Sequence, residues 1–278
     1  MKIISYALFG YNKEKPENCF DFKTYLRGLM INIRLAKVLY PDWRVAVNTD
    51  DATYKRFEKL FNALQEKGVL FYKNNPAPLC EAMLWRMKPI WHEGVTHLLC
   101  RDLDSSLTYR EAQMVQEWLQ YDKVIHAITD SISHNIPLLG GMIGIVASHF
   151  KQRFSSWNDL IQGYNYERKG TDQEMLNQRV YPIYAQSGTE SIIQHYMLGM
   201  PNTFLSGYRN KFIDEPLPNV DEKFRMTNDM TGHIGAAGWY EPIWMQFLKL
   251  DANNYTDIEN IEQDIFYCCL LYTSDAAD

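Results

Sequence analysis

Along the first half of the chain, short runs of β-branched and aromatic residues alternate with longer stretches whose apolar positions recur every three or four residues. Ile3 to Phe9 has the first pattern and predicts a strand. Residues 22 to 39 have the second, with Leu26, Leu29, Met30, Ile33, Leu35 and Val38 at helical spacing, and the stretch stops before Pro41. Trp43 to Val47 predicts a second strand, which runs into the polar Asn48-Thr49-Asp50-Asp51. A helix over 52–66 closed by Gly68 and a short strand over 69–72 follow. The spacing over 79–91 predicts a helix broken at Pro89. Thr96 to Cys100 then reads as a strand that delivers Arg101-Asp102-Leu103-Asp104-Ser105 at its carboxyl end. A helix over 110–119, a strand over 123–128 and a buried Gly-rich strand, Leu138 to Val146, complete this half. Strands alternating with helices imply a mostly parallel sheet covered on both faces, so the expected class is α/β and Rossmann-like.

The second half is less regular. Helices are predicted over 147–163 and 172–180, with a short one over 191–197. Beyond Pro201 the chain is loop-rich, with a turn at Gly232-His233-Ile234-Gly235 and a last helix near 242–250. Residues 1–268 are expected to form one domain. Cys269 to Asp278 resembles the translated read-through of a transposase adapter used in DNA library preparation, so this tail is set apart from the fold, and the natural protein is expected to continue past residue 268.

Composition narrows the partners. With 278 residues, 46% of them hydrophobic and 14% aromatic, the chain can fill a sizeable core. Its 28 Lys and Arg against 34 Asp and Glu give a net charge of -6, without the basic stripe that nucleic-acid binders carry, so no nucleic acid is expected. The longest apolar stretch, Leu138 to Ala147, holds three glycines and falls far short of the roughly 20 residues that span a bilayer. The apolar start runs straight into Asn12-Lys13-Glu14-Lys15 with no small-residue cleavage site, which reads as a first strand and predicts a cytoplasmic protein. Five cysteines, Cys19, Cys80, Cys100, Cys268 and Cys269, lack metal-ligand spacing and suit buried thiols in a reducing compartment.

The candidate chemistry gathers around Asp102-Leu103-Asp104. Ligands of open α/β sheets bind beyond the carboxyl ends of strands, and two carboxylates one residue apart there can address a hard divalent cation, Mg²⁺ or Mn²⁺. An Asp-x-Asp arises about once by chance in a chain of this length, so its place at a strand end is what gives it weight. Arg86 lies on an otherwise apolar helix and needs an anionic partner, either a ligand phosphate or carboxylate, or a structural partner. Arg101 has the same two readings, and for either arginine Asp102, Asp104 or Glu111 is the candidate structural partner. His126-Ala127-Ile128-Thr129-Asp130 and His134 precede Gly140-Gly141-Met142-Ile143-Gly144. Paired glycines either admit a ligand to the backbone or allow tight packing on a helix. His126 reads as a core residue. In Gly170-Thr171-Asp172-Gln173, Thr171 or Asp172 can cap a helix, and side chains at a helix start project into such a cleft. His233 sits in a Gly-flanked loop and is either a surface histidine or a metal ligand.

These residues share their order with a known group. Tyr25-x-x-Gly28, Asn32, Tyr40-Pro41-Asp42-Trp43, Leu84-Trp85-Arg86, Arg101-Asp102-x-Asp104-Ser105, Arg110-Glu111, Glu117-Trp118-Leu119, Gly140-Gly141-Met142-x-Gly144 and Asp172-Gln173 together resemble a bacterial and viral group of GT-A fold nucleotide-sugar glycosyltransferases, over roughly residues 1 to 185. The resemblance implies a GT-A-like domain in which Asp102 and Asp104 hold Mn²⁺ or Mg²⁺ on the donor diphosphate, with His233 matching a later histidine ligand. The segment Ile128-Thr129-Asp130 departs from the Arg-Asp expected at that place. The implied reaction moves a sugar from a nucleoside-diphosphate sugar to a hydroxyl of a carbohydrate or lipid-linked acceptor, in surface polysaccharide or glycoconjugate synthesis.

Breaking the sugar–diphosphate bond leaves charge on a phosphate oxygen, which the metal with Arg101 or Arg86 would stabilise. Asp172 would act as general base or hydrogen-bond a sugar, and Asp130, His134, Gly140, Gly141 and Gln173 are the expected sugar or acceptor contacts. Phe9 and Gly10 with Asn48, Thr49 and Asp50, at the first two strand ends, are expected to contact the nucleotide. Two other classes compete. A haloacid-dehalogenase-like phosphatase also uses strand-Asp-x-Asp, but carries it on its first strand. A catalytically inactive glycan-binding or scaffold protein has no need of intact carboxylates.

Overall fold

The computed structural model describes residues 1–10, 19–129, 136–185, 191–196 and 209–212. Eight strands form one sheet in it: β1 (Lys2–Ala7), β2 (Trp43–Asp50), β3 (Leu70–Asn74), β4 (His97–Arg101), β5 (Ile125–Thr129), β6 (Met142–Val146), β7 (Ile192–Tyr196) and β8 (Arg209–Phe212). They lie side by side in the order β3-β2-β1-β4-β6-β5-β7-β8. All neighbours pair parallel except β6, which runs antiparallel to both β4 and β5. The α/β class, with its mostly parallel sheet, is as the sequence predicts.

Helices cover both faces. On one side lie α1 (Cys19–Leu39), α2 (Asp51–Arg56), α3 (Glu58–Glu66) and α5 (Tyr109–Trp118); they pack on Ile4, Tyr6, Val45, Val47 and Leu99. On the other lie α4 (Leu79–Leu84), a 3₁₀ helix (Trp85–Trp91), α6 (Ala147–Arg153), α7 (Trp157–Ile161), α8 (Thr171–Met175), a π-helical turn (Leu176–Val180) and α9 (Tyr181–Ala185); they pack on Ile3, Ala46, Leu98 and Cys100. The period of two along β1, β2 and β4 therefore feeds two separate cores. Among the described residues no helix is long and apolar enough to cross a membrane. Cys80 and Cys100 are buried free thiols, as expected.

Several elements depart from the sequence reading, each for a local reason. Residues 192–196 form a strand rather than part of a short helix, because Ile192 and Ile193 fill opposite cores while the backbone pairs with β5. The helix expected over 147–163 is two helices; Ser156 caps the second by accepting from the Asp159 N–H at 3.1 Å, and Ser155 bonds the Asp159 carboxylate. The helix over 52–66 breaks at Phe57 (φ -113°, ψ 23°), whose ring is buried beside Phe61. Between 79 and 91 the α-helix ends at Leu84, and the turns around Pro89, which has no N–H to donate, tighten to 3₁₀. Only residues 142–146 of the expected strand over 138–146 pair in the sheet, leaving Gly140 and Gly141 in the turn before it. The turn and helix expected beyond Pro201 and the tail 269–278 lie outside the described residues.

One buried polar chain links the sheet to α5. His126 Nε2 and His195 Nδ1 are 3.0 Å apart, and His195 Nε2 is 3.1 Å from the Glu117 carboxylate. A carboxylate only accepts, so the neutral rings fall into one pattern: His195 donates from Nε2 to Glu117, and His126 donates from Nε2 to His195. This leaves His126 Nδ1 bare, buried under Trp118, which stacks on the ring. Burial first, then His195 and Arg101, push the His126 pKa well below its usual value. The unfolded chain thus takes up a proton near pH 6.5 that the folded chain refuses. The stability this group contributes is complete above about pH 6.5 and falls below it, by at most about 1.4 kcal/mol per pH unit. Denaturant titrations at pH 8.0 and 5.5 are expected to show a smaller acid loss in His126→Gln than in the wild type; equal losses would refute this.

Candidate active site

The carboxyl ends of β1, β2, β3 and β4 share one edge of the sheet, since all four run parallel. Antiparallel β6 begins at that same edge, with Met142 opposite Arg101. The chain therefore leaves the edge through Asp102 and returns to it through Gly140-Gly141. Alternation along β4 sorts its side chains. Leu99 and Leu103 face α1 and α5, and Cys100 faces the 3₁₀ helix.

Asp102 follows Cys100 on that side and is ion-paired with Arg86 of the 3₁₀ helix. Arg86 is 4% exposed, whereas the Asp102 side chain is 41% exposed, so the pair has one buried and one open end. Asp104 is close enough for its pKa to feel both: burial and the Asp102 charge raise it, and Arg86 offsets part of the rise. The motif thus sets Asp104 beside the Asp102 charge, with one guanidinium behind them. Burial pushes the Cys100 thiol up to about 12, which removes it as a nucleophile.

Arg101 belongs to the other face. It is 2% exposed, donates from Nε to Glu111 at 2.5 Å, and donates from Nη1 to the carbonyls of Cys100 and Ile143. Tyr40 also donates to Glu111, at 3.2 Å. Arg101 therefore makes the structural ion pair that was one of its two readings, fastening β4, β6 and α5 together.

Gly140 and Gly141 roof the carboxylates. A Cβ on Gly141 would overlap the Asp102 carboxylate, and one on Gly140 would stand 2.9 Å from Arg86 Nη2. Neither glycine has a positive φ, so the demand is for space rather than conformation. The close approach that the sequence assigned to a ligand or a packed helix is made by the site's own charged side chains. Gly144 is the packing glycine: a Cβ there would meet Trp118 and Leu99.

The start of α8 closes the far side. Asp172 is 2% exposed, its charge acts on Arg86, and its Oδ2 is buried without a hydrogen-bond partner. The Gln173 side-chain oxygen accepts from the Gly140 N–H at 3.3 Å. Asn177, which the sequence reading passed over, bonds both backbone groups of Leu138. Asn32 was noted only within the shared order; it does the same work for the loop after Asp104, donating to the Ser105 carbonyl and accepting from the Leu107 N–H. A polar residue in the midst of an apolar helical stretch is the signal that Asn32 left in the sequence.

The expected nucleotide contacts do gather at the ends of β1 and β2. Asp50 accepts from the Gly10 N–H at 2.7 Å and caps α2 through Thr53. Asn48 is fully buried and donates to Ser5 Oγ and the Tyr6 carbonyl, while Thr49 is equally buried. Asp50 and Asn48 tie the ends of β1 and β2 together, while the Thr49 hydroxyl bonds only within its own strand. Phe9 packs edge-on against Trp85, with ring centroids 5.4 Å apart, which puts it next to the residue preceding Arg86. Asp130, His134 and His233 lie outside the described residues.

Among the described residues no group of three or more His, Cys, Asp or Glu side chains could hold a metal. Two carboxylates without a third protein ligand still fit Mg²⁺ or Mn²⁺, which completes its shell with substrate phosphates and water. The raised Asp104 and the open end of Asp102 fit such an ion, because a positive charge between them would relieve their repulsion.

No protein-family model matches the sequence, and the comparison with curated proteins finds no match. Solved structures similar to this chain include a cytidylyltransferase from Leptospira borgpetersenii, 14% identical over 70% of this chain and 75% of that one, with a TM-score of 0.41. The glycosyltransferase GlyE of Streptococcus pneumoniae is 13% identical over 64% of this chain and 42% of its own, with a TM-score of 0.41. Mouse xyloside xylosyltransferase 1 is 11% identical over 78% and 99%, with a TM-score of 0.40.

Proposed function

We propose that this protein is a metal-dependent glycosyltransferase of GT-A type, acting in the cytoplasm, that transfers a sugar from a nucleoside-diphosphate sugar to a hydroxyl of a carbohydrate or lipid-linked acceptor. One observation carries the reading: the paired carboxylates Asp102 and Asp104 stand at the carboxyl edge of the sheet, backed by buried Arg86 and roofed by backbone at Gly140-Gly141. With a divalent cation between the carboxylates, such an arrangement would suit a diphosphate better than a neutral ligand.

Asp102 and Asp104 would hold Mn²⁺ or Mg²⁺, which supplies, when bound, a counter-charge for the leaving diphosphate. Arg86 keeps a fixed positive charge behind Asp102 and presents it to the same phosphates; being buried, it acts in a medium where charge is weakly screened. The bare Asp172 Oδ2 is an acceptor waiting for a donor, and a sugar hydroxyl is the group in this reaction that would satisfy it. From there Asp172 orients that hydroxyl or takes its proton. Gly140 and Gly141 exclude side chains from the space around the carboxylates. Phe9 offers an apolar ring beside Trp85 for the nucleotide.

The test is a panel of nucleotide sugars incubated with Mn²⁺ and, in parallel, with EDTA, read by released nucleoside diphosphate. Turnover with at least one donor, lost in EDTA, is the expected result. Asp102→Ala and Asp104→Ala are expected to reduce it by at least about 100-fold while circular dichroism stays native, since both side chains are partly open to solvent. Wild-type turnover in either variant at saturating Mn²⁺ refutes the metal assignment. Release of inorganic phosphate from a phosphomonoester, with no donor turned over, would point to the phosphatase reading instead.

A further inference from the structure

The roof over Asp102 is held from the helix side by a pair of amides. Asn177 accepts from the Leu138 N–H at 2.9 Å and donates from Nδ2 to the Leu138 carbonyl and to the Gln173 carbonyl, both at 2.8 Å. Gln173, one turn earlier, accepts from the Gly140 N–H. The two side chains pair with the backbone of 138–140 as a neighbouring strand would. Asn177 also lies in the π-helical turn, and its side chain occupies a carbonyl, that of Gln173, which an α-helix would give to the Asn177 N–H. The helix is thus widened at the point where its amide reaches out to the roof. Neither residue touches Asp102, yet the segment they pin ends at Gly141, whose backbone bounds the Asp102 carboxylate on one side.

We infer that Asn177 is a positioning residue which, through Leu138 to Gly141, fixes the Asp102 carboxylate for a divalent cation. The inference rests on the reading of Asp102 and Asp104 as metal ligands and deepens it. Three bonds converge on one side chain that is only partly buried, and a helix stabilised by its packed apolar face has no need of them. The backbone groups they satisfy lie in the turn directly before β6, where no strand partner is available. When the amide is lost, the roof can lift, and Asp102 gains rotamers that do not point at the cation. Groups that bond a metal ligand directly change affinity by about 10- to 100-fold when removed, and Asn177 acts one link further away, so the low end of that range is expected.

The experiment measures Mn²⁺ binding by electron paramagnetic resonance, with Mn²⁺ alone and with uridine diphosphate added. It compares wild type, Asn177→Ala and Asp159→Ala. Asp159 is the control: it bonds Ser155 and Gln162 and is ion-paired with Arg179 of the same π-helical turn, but it makes no hydrogen bond to residues 138–141. Both variants are expected to melt at lower temperature, but only Asn177→Ala weakens Mn²⁺, by about tenfold. Hydrogen exchange at the Gly140 amide is expected to quicken in the same variant. If Asn177→Ala does not fold, Gln173→Ala, which removes only the bond to Gly140, takes its place in the Mn²⁺ titration with the same expected direction. Wild-type protein that binds no Mn²⁺ overturns the metal reading itself. Wild type that binds, alongside a folded roof variant that binds within about twofold of it, overturns the positioning role alone.

Discussion

Gly141→Ala is expected to abolish Mn²⁺-dependent turnover, by about 100-fold or more, while leaving the protein folded. The added Cβ would overlap the Asp102 carboxylate, so the side chain must leave its present position. The Asp102 side chain is open at one end and can swing away from the roof, while the Asp172 charge still acts on Arg86. A displacement of about 1 Å in a catalytic group can cost 10²-fold in rate. Gly144→Ala is the instructive contrast. Its Cβ would press on Trp118 and Leu99 in the core, so the expected loss is about 1–3 kcal/mol of stability with turnover per folded molecule retained. Turnover and thermal unfolding measured on both variants separate the two; a Gly141→Ala protein with wild-type turnover removes the roof from the site.

The second large effect concerns stability. Glu111→Ala is expected to cost about 3–5 kcal/mol, because it strands the Arg101 guanidinium, 2% exposed, where no other carboxylate among the described residues pairs with it. Tyr40 loses its acceptor in the same step. With Glu111 gone, burial, the largest cause of the raised Tyr40 hydroxyl, still opposes its ionisation, so it does not replace the lost carboxylate. Arg101→Met combined with Glu111→Leu removes both charges and is expected to recover most of the loss. Urea titrations of the single and double variants check this, and a Glu111→Ala protein as stable as wild type would show that the pair contributes nothing.

These two cases show what the sequence made legible. The strand-end position of Asp102 and Asp104 follows from the apolar run before them, and the sheet order puts β1 directly beside β4, as the reading of the strand tips required. The phase of β4 was also readable: Leu99 and Leu103 bracket Arg101 at a spacing of two, which assigns Arg101 to the α5 face and Asp102 to the opposite one. Arg86 is a cation in need of an anion, with Asp102 one of three candidate carboxylates in the sequence, but which of the three it meets, on a different element 16 residues away, follows only from the fold. Composition does not encode such a meeting. The same holds for Gly140 and Gly141, whose spacing announces close approach without naming what approaches. Residues 191–197 were misread because the apolar pairs there fit a helix or a strand alike, and only the open edge of β5 decides between them. Asn177 gave no signal, since an Asn within a helical pattern reads as a solvated position until the turn it holds is in place.

The reversal of β6 also bears on how much order a ligand must impose. In an all-parallel sheet the backbone that covers a cleft comes from a free loop, and a ligand that needs the loop closed loses affinity to the entropy of closing it. Here the covering segment is the lead-in to a strand hydrogen-bonded on both sides, and its other end is fastened to a helix. Its freedom is already lost when the sheet forms, so ligand binding need not freeze it again. Whatever rearranges on binding then falls to side chains, chiefly the exchange of partners between Asp102 and Arg86, and such exchanges occur far faster than the μs–ms motions of a lid.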